Sequence, residues 1–517
     1  MNNVLNKKAL RICLTSNRKI ISLLIFSLIT INFAPVQSLS QTDTIRINAV
    51  QTLKTDINSL ISNPDFSSAD IGICVQAVES GEYLYMQNES KNFIPASTQK
   101  VLTTAAALDI LGPNFKFATK LYLDGIILPT GEFVGNVIIR GMGDPSISKY
   151  YFKEPLEILD NWAKILDSLG INSIKGNIIG DDSYFDNTYY GPGWSWDDFS
   201  YTYSSQVSAL SINDNRVDFF IYSGDSVGAS AGISSYPSSQ YFRIVNNIRT
   251  SKSSDEAEID GIRETGTNIL KLSGAVPYDN FRKKAHSLSV TIDNPTLFFL
   301  NLFKQVLDNR RISFSGGLLR QADLPSRINY AELNPVIEHF SPPVSEIISI
   351  INQESHNLAA EMLLKTLGKE NSGTGTFNSG AEFLRNYLGK AGVNQQNVKI
   401  VDGSGLSRLN LISPRNQVSI LNYIYRSSFK DYFVKSLARP GEPGTLKRRM
   451  TRSKAEKSVT AKTGSMNYIS AICGYVNSRD GETFAFSIMF QNFTVPLTLA
   501  HNLQDLILMR LSSFSRN

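Results

Sequence analysis

Ser97 and Lys100 are three residues apart at the start of a predicted helix, so their side chains lie on one helix face. Apolar residues follow at helical spacing from Val101 to Leu111, and Gly112-Pro113 ends the helix. A lysine partly desolvated by apolar neighbours loses its proton near neutral pH and can act as the base for a serine hydroxyl. The positive end of the helix also favours an alkoxide and an oxyanion. The pair therefore predicts a serine nucleophile for acyl transfer.

Two other short motifs contain residue types suited to the same chemistry. Lys462, Thr463 and Gly464 stand at the end of a predicted strand. A cation and a hydroxyl there suit a carboxylate, and the glycine allows a substrate backbone to approach closely. Ser355 and Asn357 lie between two predicted helices. Each motif also has a plainer explanation, namely an exposed turn for the triplet and a helix cap for Asn357.

The order of the three motifs is more specific than any one of them. Ser-x-x-Lys alone recurs at Ser16, Ser146 and Ser427, and most such matches are a capping serine and a surface lysine. Here Ser-x-x-Lys opens a helix, Ser-x-Asn stands between helices, and Lys-Thr-Gly ends a late strand. This ordered set is typical of penicillin-recognising serine enzymes.

Longer stretches resemble one family among these enzymes. They are residues 140–145, 191–198, 207–215, 357–362, 402–407 and 444–449. On these stretches the sequence resembles the class C low-molecular-mass penicillin-binding proteins, which are D-alanyl-D-alanine carboxypeptidases/endopeptidases of the serine peptidase S13 type. The resemblance covers nearly all of the chain after residue 40. One departure is His356, where the family usually has aspartate; we expect altered local hydrogen bonding there and retained activity.

The resemblance implies a role for each motif residue. Ser97 attacks the carbonyl of the penultimate D-alanine, and Lys100 takes its proton. Ser355 relays a proton to the leaving amine, and Lys462 tunes the local potential. Asn357 binds Lys100 and the substrate amide.

The same resemblance implies the remaining site residues and the ligands. The backbone N–H groups of Ser97 and Ser465 form the oxyanion hole, and Thr463 and Gly464 bind the substrate. No metal or cofactor is needed. The expected partners are peptidoglycan stem peptides ending in D-Ala-D-Ala, and β-lactams, which bind covalently.

The pattern of predicted elements indicates how the chain is divided. Strands and helices at both ends predict one α/β (α+β) catalytic domain built from the two termini, with a large β-rich insertion. The resemblance implies that this domain has a penicillin-binding-protein/β-lactamase-like fold, an antiparallel sheet flanked by helices. The predicted boundaries are 1–40 for a signal peptide, 41–118 and 291–517 for the catalytic domain, and 119–290 for the insertion.

The N-terminus has the pattern of a secretory signal. A basic region precedes an apolar run from Ile20 to Phe33, which is short for a membrane span, and small residues Ser38 and Ser40 offer a cleavage site. We expect export to the periplasm with at most peripheral membrane association; an uncleaved anchor is the alternative. Cys74 and Cys473 could form a disulfide in that compartment, but we favour two buried thiols.

Composition and the absence of other motifs exclude several classes. The 517 residues have a formal net charge of only +5 and no basic patch with interleaved aromatics, which disfavours a nucleic-acid partner. Gly141-x-Gly143 lacks the third glycine of a dinucleotide loop, the histidines lack metal-ligand spacing, and no Gly-x-Ser-x-Gly elbow occurs. Two alternatives to a peptidase stay open: a β-lactamase-like hydrolase, and a non-catalytic envelope-binding protein on the same fold.

Overall fold

The computed structural model describes residues 41–281 and 284–516, so the predicted signal peptide, 1–40, lies outside the described residues. The helices are α1 (Gln41–Ile61), α2 (Lys100–Ile110), α3 (Glu157–Ser168), α4 (Pro295–Asn309), α5 (Val344–Gln353), α6 (Asn357–Ser372), α7 (Phe377–Tyr387), α8 (Pro414–Tyr425), α9 (Lys430–Ser436) and α10 (Leu497–Ser512). The strands are β1 (Asp70–Ala77), β2 (Tyr83–Gln87), β3 (Ala118–Ile127), β4 (Glu132–Gly141), β5 (Ser173–Lys175), β6 (Ile178–Asp181), β7 (Arg216–Tyr222), β8 (Gly232–Tyr236), β9 (Arg243–Ser251), β10 (Glu258–Arg263), β11 (Ile269–Pro277), β12 (His286–Thr291), β13 (Ser313–Ser315), β14 (Leu318–Arg320), β15 (Pro335–Phe340), β16 (Val459–Met466), β17 (Ile469–Asn477) and β18 (Thr483–Gln491).

A five-stranded antiparallel sheet joins the two ends of the chain, in the order β16-β17-β18-β1-β2. β17 and β18 lie inside the sheet and are almost wholly buried, which explains why they read as continuous apolar runs in the sequence. β16 and β2 are the edge strands. The predicted α/β class, with an antiparallel sheet flanked by helices, is confirmed.

Helices cover both faces of this sheet. In β18, Phe484, Phe486 and Ile488 belong to a core that includes residues of α1 and α10. The alternate residues Ala485 and Met489 belong to a separate core with α2, α5, α6 and α8, as the two-residue repeat of a strand requires. The nucleophile helix α2 is therefore buried between the sheet and other helices, from Lys100 to Leu108.

A second body of strands follows α2 along the chain. A seven-stranded sheet combines β3–β6 with β13–β15, and two three-stranded sheets, β10-β11-β9 and β12-β7-β8, lie between them in sequence. β13, β14 and β15 pair with β5, β6 and β3 although they follow the predicted boundary at residue 290. We therefore propose that the inserted region extends from β3 to Phe340.

Two smaller predictions bear on compartment and membrane. Cys74 and Cys473 are both free and buried, which confirms the prediction of two buried thiols. Between residues 41 and 516, the described helices include none with the length and apolar character that crossing a membrane demands.

Candidate active site

Ser97 lies in a tight turn that leads into α2. The turn, Ala96–Gln99, is a 3-10 helix, and Lys100 is the first residue of α2. Lys100 Nζ lies 2.9 Å from Ser97 Oγ, 2.6 Å from Asn357 Oδ1 and 2.8 Å from the carbonyl oxygen of Ser404. The predicted nucleophile and base are therefore in hydrogen-bond contact, and Asn357 contacts Lys100 as predicted.

The environment of Lys100 favours its neutral form. The residue is wholly buried, and burial lowers its pKa to about 7, although the negative charges of Glu361 and Asp402 oppose the shift. A cation leaves water at a cost, so a buried ammonium gives up its proton more easily. Lys100 can thus accept the proton of a serine hydroxyl near neutral pH.

Ser355 and Lys462 form a second pair next to the first. Lys462 Nζ donates to Ser355 Oγ at 2.9 Å and to the carbonyl oxygen of Thr463 at 2.8 Å. Burial lowers the pKa of Lys462, and the positive charge of Lys100 lowers it further. Ser355 has φ of +61°, a left-handed conformation that residues other than glycine rarely adopt. Such a backbone costs about 1–3 kcal/mol and persists only where the surroundings impose it.

The third motif lies inside a strand and not at its end. The prediction that Lys462, Thr463 and Gly464 stand at the end of a strand is wrong, because β16 continues to Met466 and pairs with β17 throughout. A Cβ atom on Gly464 would lie 2.9 Å from the backbone nitrogen of Ser97 and 2.9 Å from the carbonyl oxygen of Pro95. The missing side chain therefore lets β16 pack against the nucleophile turn.

The remaining predicted residues lie on the same stretch of β16. Thr463 is half-buried, and Ser465 is exposed with its hydroxyl 3.3 Å from His501 Nε2. Because β16 contacts the turn at the Ser97 amide, the backbone of Ser465 lies near that amide along the strand. The structure thus gathers the three sequence motifs around Ser97.

Comparison with known proteins agrees with this arrangement. The family model for the D-Ala-D-Ala carboxypeptidase 3 (S13) family matches residues 53–507. The chain belongs to the S13 family. A D-alanyl-D-alanine carboxypeptidase of Actinomadura sp. (strain R39) is 30% identical over 473 residues, which cover 90% of this chain and 85% of that protein.

A sequence match and a structure match, both to DacB of Haemophilus influenzae, describe the likeness further. The D-alanyl-D-alanine carboxypeptidase DacB is 26% identical over 423 residues, covering 81% of this chain and 84% of that one. The crystal structure of penicillin binding protein 4 from that organism superposes with a TM-score of 0.74 at 24% identity, covering 88% of this chain and 97% of that chain. This likeness shows that the S13 chain has the predicted penicillin-binding-protein fold.

Two carboxylates of the S13 site were not identified from the sequence. Glu361, on α6, is fully buried and accepts hydrogen bonds from the N–H groups of Gly403 and Ser404, both at 2.8 Å. Asp402 is also fully buried and accepts from Trp194 Nε1 at 3.0 Å. Both positions lie in stretches that resemble the family, and a charged residue inside an apolar helix pattern was the available signal for Glu361.

His356 has a structural task that the sequence did not predict. The alternative explanation of Asn357 as a helix cap is wrong, because the cap of α6 is His356, whose Nδ1 accepts from the N–H of Ala359 at 3.0 Å. His356 Nε2 lies 3.0 Å from Oδ1 of Asp214, which belongs to the inserted region. A histidine therefore caps α6 in this chain, at the position where the family usually has aspartate.

The inserted region also reaches the catalytic motif at Asn357. The side-chain Nδ2 of Asn357 donates to the carbonyl oxygen of Tyr203 at 2.7 Å. Asn357 therefore links Lys100 on one side to the segment before β7 on the other. Within residues 41–281 and 284–516, no group of three or more His, Cys, Asp or Glu residues could hold a metal ion.

Proposed function

We propose that this chain is a serine-type D-Ala-D-Ala carboxypeptidase, with D,D-endopeptidase activity, that acts on peptidoglycan stem peptides through an acyl-enzyme on Ser97. The observation that carries the proposal is the 2.9 Å contact between Lys100 Nζ and Ser97 Oγ, in a site that lowers the pKa of the lysine to about 7. Membership of the S13 family and the 30% identity to the Actinomadura carboxypeptidase support the same reaction.

Acylation begins with proton transfer from Ser97 to Lys100. As the Ser97 oxygen bonds to the carbonyl carbon of the penultimate D-alanine, its proton moves to the neutral lysine nitrogen. The N–H groups of Ser97 and Ser465 then stabilise the negative charge on the carbonyl oxygen. The close packing of Gly464 against the Ser97 amide supports this assignment, because it keeps the two N–H groups on adjoining backbone.

The departing amine must gain a proton before it leaves. Ser355 is suited to this transfer, since its hydroxyl is 2.9 Å from Lys462 Nζ and the positive charge of Lys100 acts on that lysine. Thr463 and Gly464 bind the substrate beside Lys462, where a hydroxyl and a cation suit its terminal carboxylate. Water then hydrolyses the acyl-enzyme and releases the shortened peptide.

Covalent labelling by penicillin tests the proposal directly. Intact-mass analysis of the wild type is expected to show one penicillin adduct, which Ser97→Ala abolishes. Incubation with isolated muropeptides, followed by mass spectrometry, is expected to show loss of the terminal D-alanine and cleavage of crosslinked dimers. An adduct that survives Ser97→Ala would overturn the assignment of the nucleophile.

The same experiment separates the alternatives. Rapid turnover of the adduct indicates a β-lactamase-like hydrolase, and absence of any adduct indicates a non-catalytic envelope-binding protein. Two buried carboxylates, Glu361 and Asp402, lie beside Lys100. Both accept backbone N–H groups and hold the loop between residues 402 and 405. Carboxylates engaged in this way are poorly placed to activate a deacylating water, which favours the peptidase.

The enzyme must be exported to reach a peptidoglycan substrate. Peptidoglycan lies outside the cytoplasmic membrane, so we propose that residues 1–40 direct secretion and that the mature enzyme works in the periplasm, with at most peripheral membrane association. N-terminal sequencing of the envelope fraction is expected to start between about Val36 and Gln41. A retained segment from Ile20 to Phe33 would show an anchor instead.

A further inference from the structure

One face of α6 is lined by residues spaced four apart. Asn357, Glu361 and Lys365 recur at this spacing, which places them one above another along the helix. Asn357 contacts Lys100, and Lys365 pairs with Asp186 at 2.7 Å. Glu361 lies between them and is fully buried. A buried carboxylate is costly unless its oxygens are satisfied, so its partners define its task.

Those partners are two consecutive backbone N–H groups. Glu361 Oε2 accepts from Gly403 and Oε1 from Ser404, each at 2.8 Å. From the opposite side the hydroxyl of Thr103, on α2, donates to the carbonyl oxygen of Gly403 at 2.7 Å. The segment is therefore fixed between α6 and the nucleophile helix.

The carbonyl oxygen of Ser404 accepts from Lys100 Nζ at 2.8 Å. Glu361 and Lys100 are thus connected through a single residue, Ser404, whose N–H faces the carboxylate and whose C=O faces the amine. The connection matters for the direction of the lysine lone pair. A neutral amine has two N–H groups and one lone pair, and here Asn357 Oδ1 and the Ser404 carbonyl can only accept. With both N–H groups so engaged, the lone pair points to Ser97 Oγ.

Charge links the two residues as well. Burial and the negative charge of Asp402 raise the pKa of Glu361, but each of its two oxygens accepts a backbone N–H, which favours the carboxylate form. Burial lowers the pKa of Lys100. The charged groups that face this pair are Asp402, Lys365 on the next turn of α6, and Lys462 beyond Lys100. Of the negative charges that favour the protonated form of Lys100, that of Glu361 has the largest effect.

We propose that Glu361 is a positioning residue for acyl transfer, which fixes the Ser404 carbonyl so that Lys100 aims at Ser97, and whose charge stabilises the ammonium formed when Lys100 takes the serine proton. The inference rests on the proposed function, because it needs Lys100 to act as the base. In the acylation step the O–H bond of Ser97 breaks, its oxygen bonds to the substrate carbonyl carbon, and the proton stays on Lys100. Glu361 exchanges no atom in this step.

The pH profile of acylation tests the proposal. The measurement is the stopped-flow rate of acylation by a fluorescent penicillin between pH 5 and 9, for the wild type and Glu361→Gln. Without the negative charge the protonated lysine is less favoured, so the acidic limb of the profile is expected to move down by about one pH unit or more. The plateau is expected to fall, because the amide cannot accept from both N–H groups. A Glu361→Gln variant whose acidic limb lies at the same pH as that of the wild type would overturn the proposal.

Matched variants separate charge from position. Thr103→Val removes the opposite support of the Gly403 carbonyl without changing charge, so it is expected to lower the plateau and leave the limb in place. Glu370→Gln removes an exposed carboxylate from the last part of α6 and is expected to change neither the plateau rate nor the pH of the acidic limb. A limb that moves equally in Thr103→Val would show that the effect of Glu361 is not electrostatic.

Two further outcomes keep the tests distinct. Should Glu361→Gln fail to fold, Glu361→Asp replaces it: its charge is retained, so the limb is expected to stay while the plateau falls, and a shifted limb would overturn the proposal. A wild type without an adduct at Ser97 would refute the proposed function itself. An acylated Glu361→Gln with an unshifted limb would refute only the role of Glu361.

Discussion

His356 Nε2 lies 3.0 Å from Asp214 Oδ1, which joins the residue between Ser355 and Asn357 to the inserted region. Because Nδ1 of the same ring accepts the backbone N–H of Ala359, the proton is on Nε2 and the ring donates to the carboxylate. The imidazole thus caps α6 and ties it to Asp214 at once. Any replacement of His356 has to keep both contacts.

We predict that His356→Asp, although it restores the family's usual residue, slows acylation. Aspartate is a good helix cap, but here its carboxylate would face that of Asp214, which is buried. The lost hydrogen bond and the repulsion correspond to about 1–3 kcal/mol. If they displace Ser355 and Asn357, the acylation rate falls by roughly 5- to 150-fold. Stopped-flow acylation by a fluorescent penicillin measures the change.

A second substitution provides the control for this prediction. Asp214→Asn in the His356→Asp background removes the repulsion and offers an amide donor to the new carboxylate, so it is expected to restore most of the rate. Asp214→Asn alone weakens a charge-assisted hydrogen bond and is expected to cost less than His356→Asp. A double variant no faster than His356→Asp would show that the two side chains do not act together.

The acylation rate of the wild type is expected to rise with pH and level off near pH 7. Burial lowers the pKa of Lys100 to about 7, and only the neutral amine can take the serine proton. The rate should therefore fall by about tenfold for each pH unit below that value, since the neutral fraction falls in that proportion. Lys100→Arg is the control, because a guanidinium stays charged at every accessible pH and should be inactive throughout. A flat wild-type profile from pH 5 to 8 would exclude Lys100 as the base.

Gly464→Ala is expected to impair acylation while leaving the fold intact. The added Cβ would meet three backbone atoms of the nucleophile turn at 2.9–3.0 Å, and backbone cannot move aside as a flexible side chain can. Overpacking of this kind costs about 1–3 kcal/mol, so we expect a loss of roughly 5- to 150-fold in rate, with thermal melting to confirm folding. The control is Gly232→Ala in β8, where a Cβ would meet nothing within 4 Å. Equal rates in both variants would contradict the close packing of β16.

The sequence was sufficient to predict those parts of the site in which residues close together in the chain act together. Ser97 and Lys100 need only helical spacing, and the helix after them ends near Gly112 as predicted. The strand at Lys462 was predicted too short, because Thr463, Gly464 and Ser465 are polar or small and resemble a turn. Its pairing with β17, which no local pattern shows, extends it to Met466.

Contacts between distant residues could not be predicted in this way. Asp214 and His356 are 142 positions apart, and Tyr203 and Asn357 are 154 apart. Glu361 is a charged residue inside an apolar helix pattern, but its partners, Gly403 and Ser404, are 42 and 43 positions away in the sequence. The end of the inserted region depends likewise on strand pairing at β15.

Ser355→Ala is expected to slow acylation by a factor of about 100 or more, the usual size of a lost proton-transfer group. The hydroxyl is held at 2.9 Å by Lys462 Nζ, on a backbone in the left-handed region, which is consistent with a fixed functional position. Ser349→Ala in α5 removes a hydroxyl that donates to the carbonyl oxygen of Ser345 in the same helix, and should leave the rate unchanged. A Ser355→Ala rate within a few-fold of wild type would reduce Ser355 to a structural residue.

The last prediction concerns how the end of the substrate is recognised. If Lys462 and Thr463 bind a terminal carboxylate, the enzyme should prefer acid-ended to amide-ended peptides. A hydrogen bond to a charged group contributes about 1.5–3 kcal/mol, which corresponds to a preference of roughly 10- to 150-fold. Thr463→Val keeps the shape of the half-buried side chain and removes the hydroxyl. It should therefore reduce kcat/KM for the acid-ended peptide by about that factor and affect the amide-ended peptide much less.

Thr460→Val, three residues earlier on β16, is the matched control for Thr463→Val and should change neither substrate. Both threonines are half-buried on the same strand, so a general weakening of β16 would appear in both variants. An equal loss on both peptides in Thr463→Val would mean that Thr463 supports the strand and does not recognise the carboxylate. A wild type that cleaves acid-ended and amide-ended peptides equally well would point to crosslinks as the main substrate. In a crosslink the residue after the cleaved peptide bond is not a free terminal D-alanine.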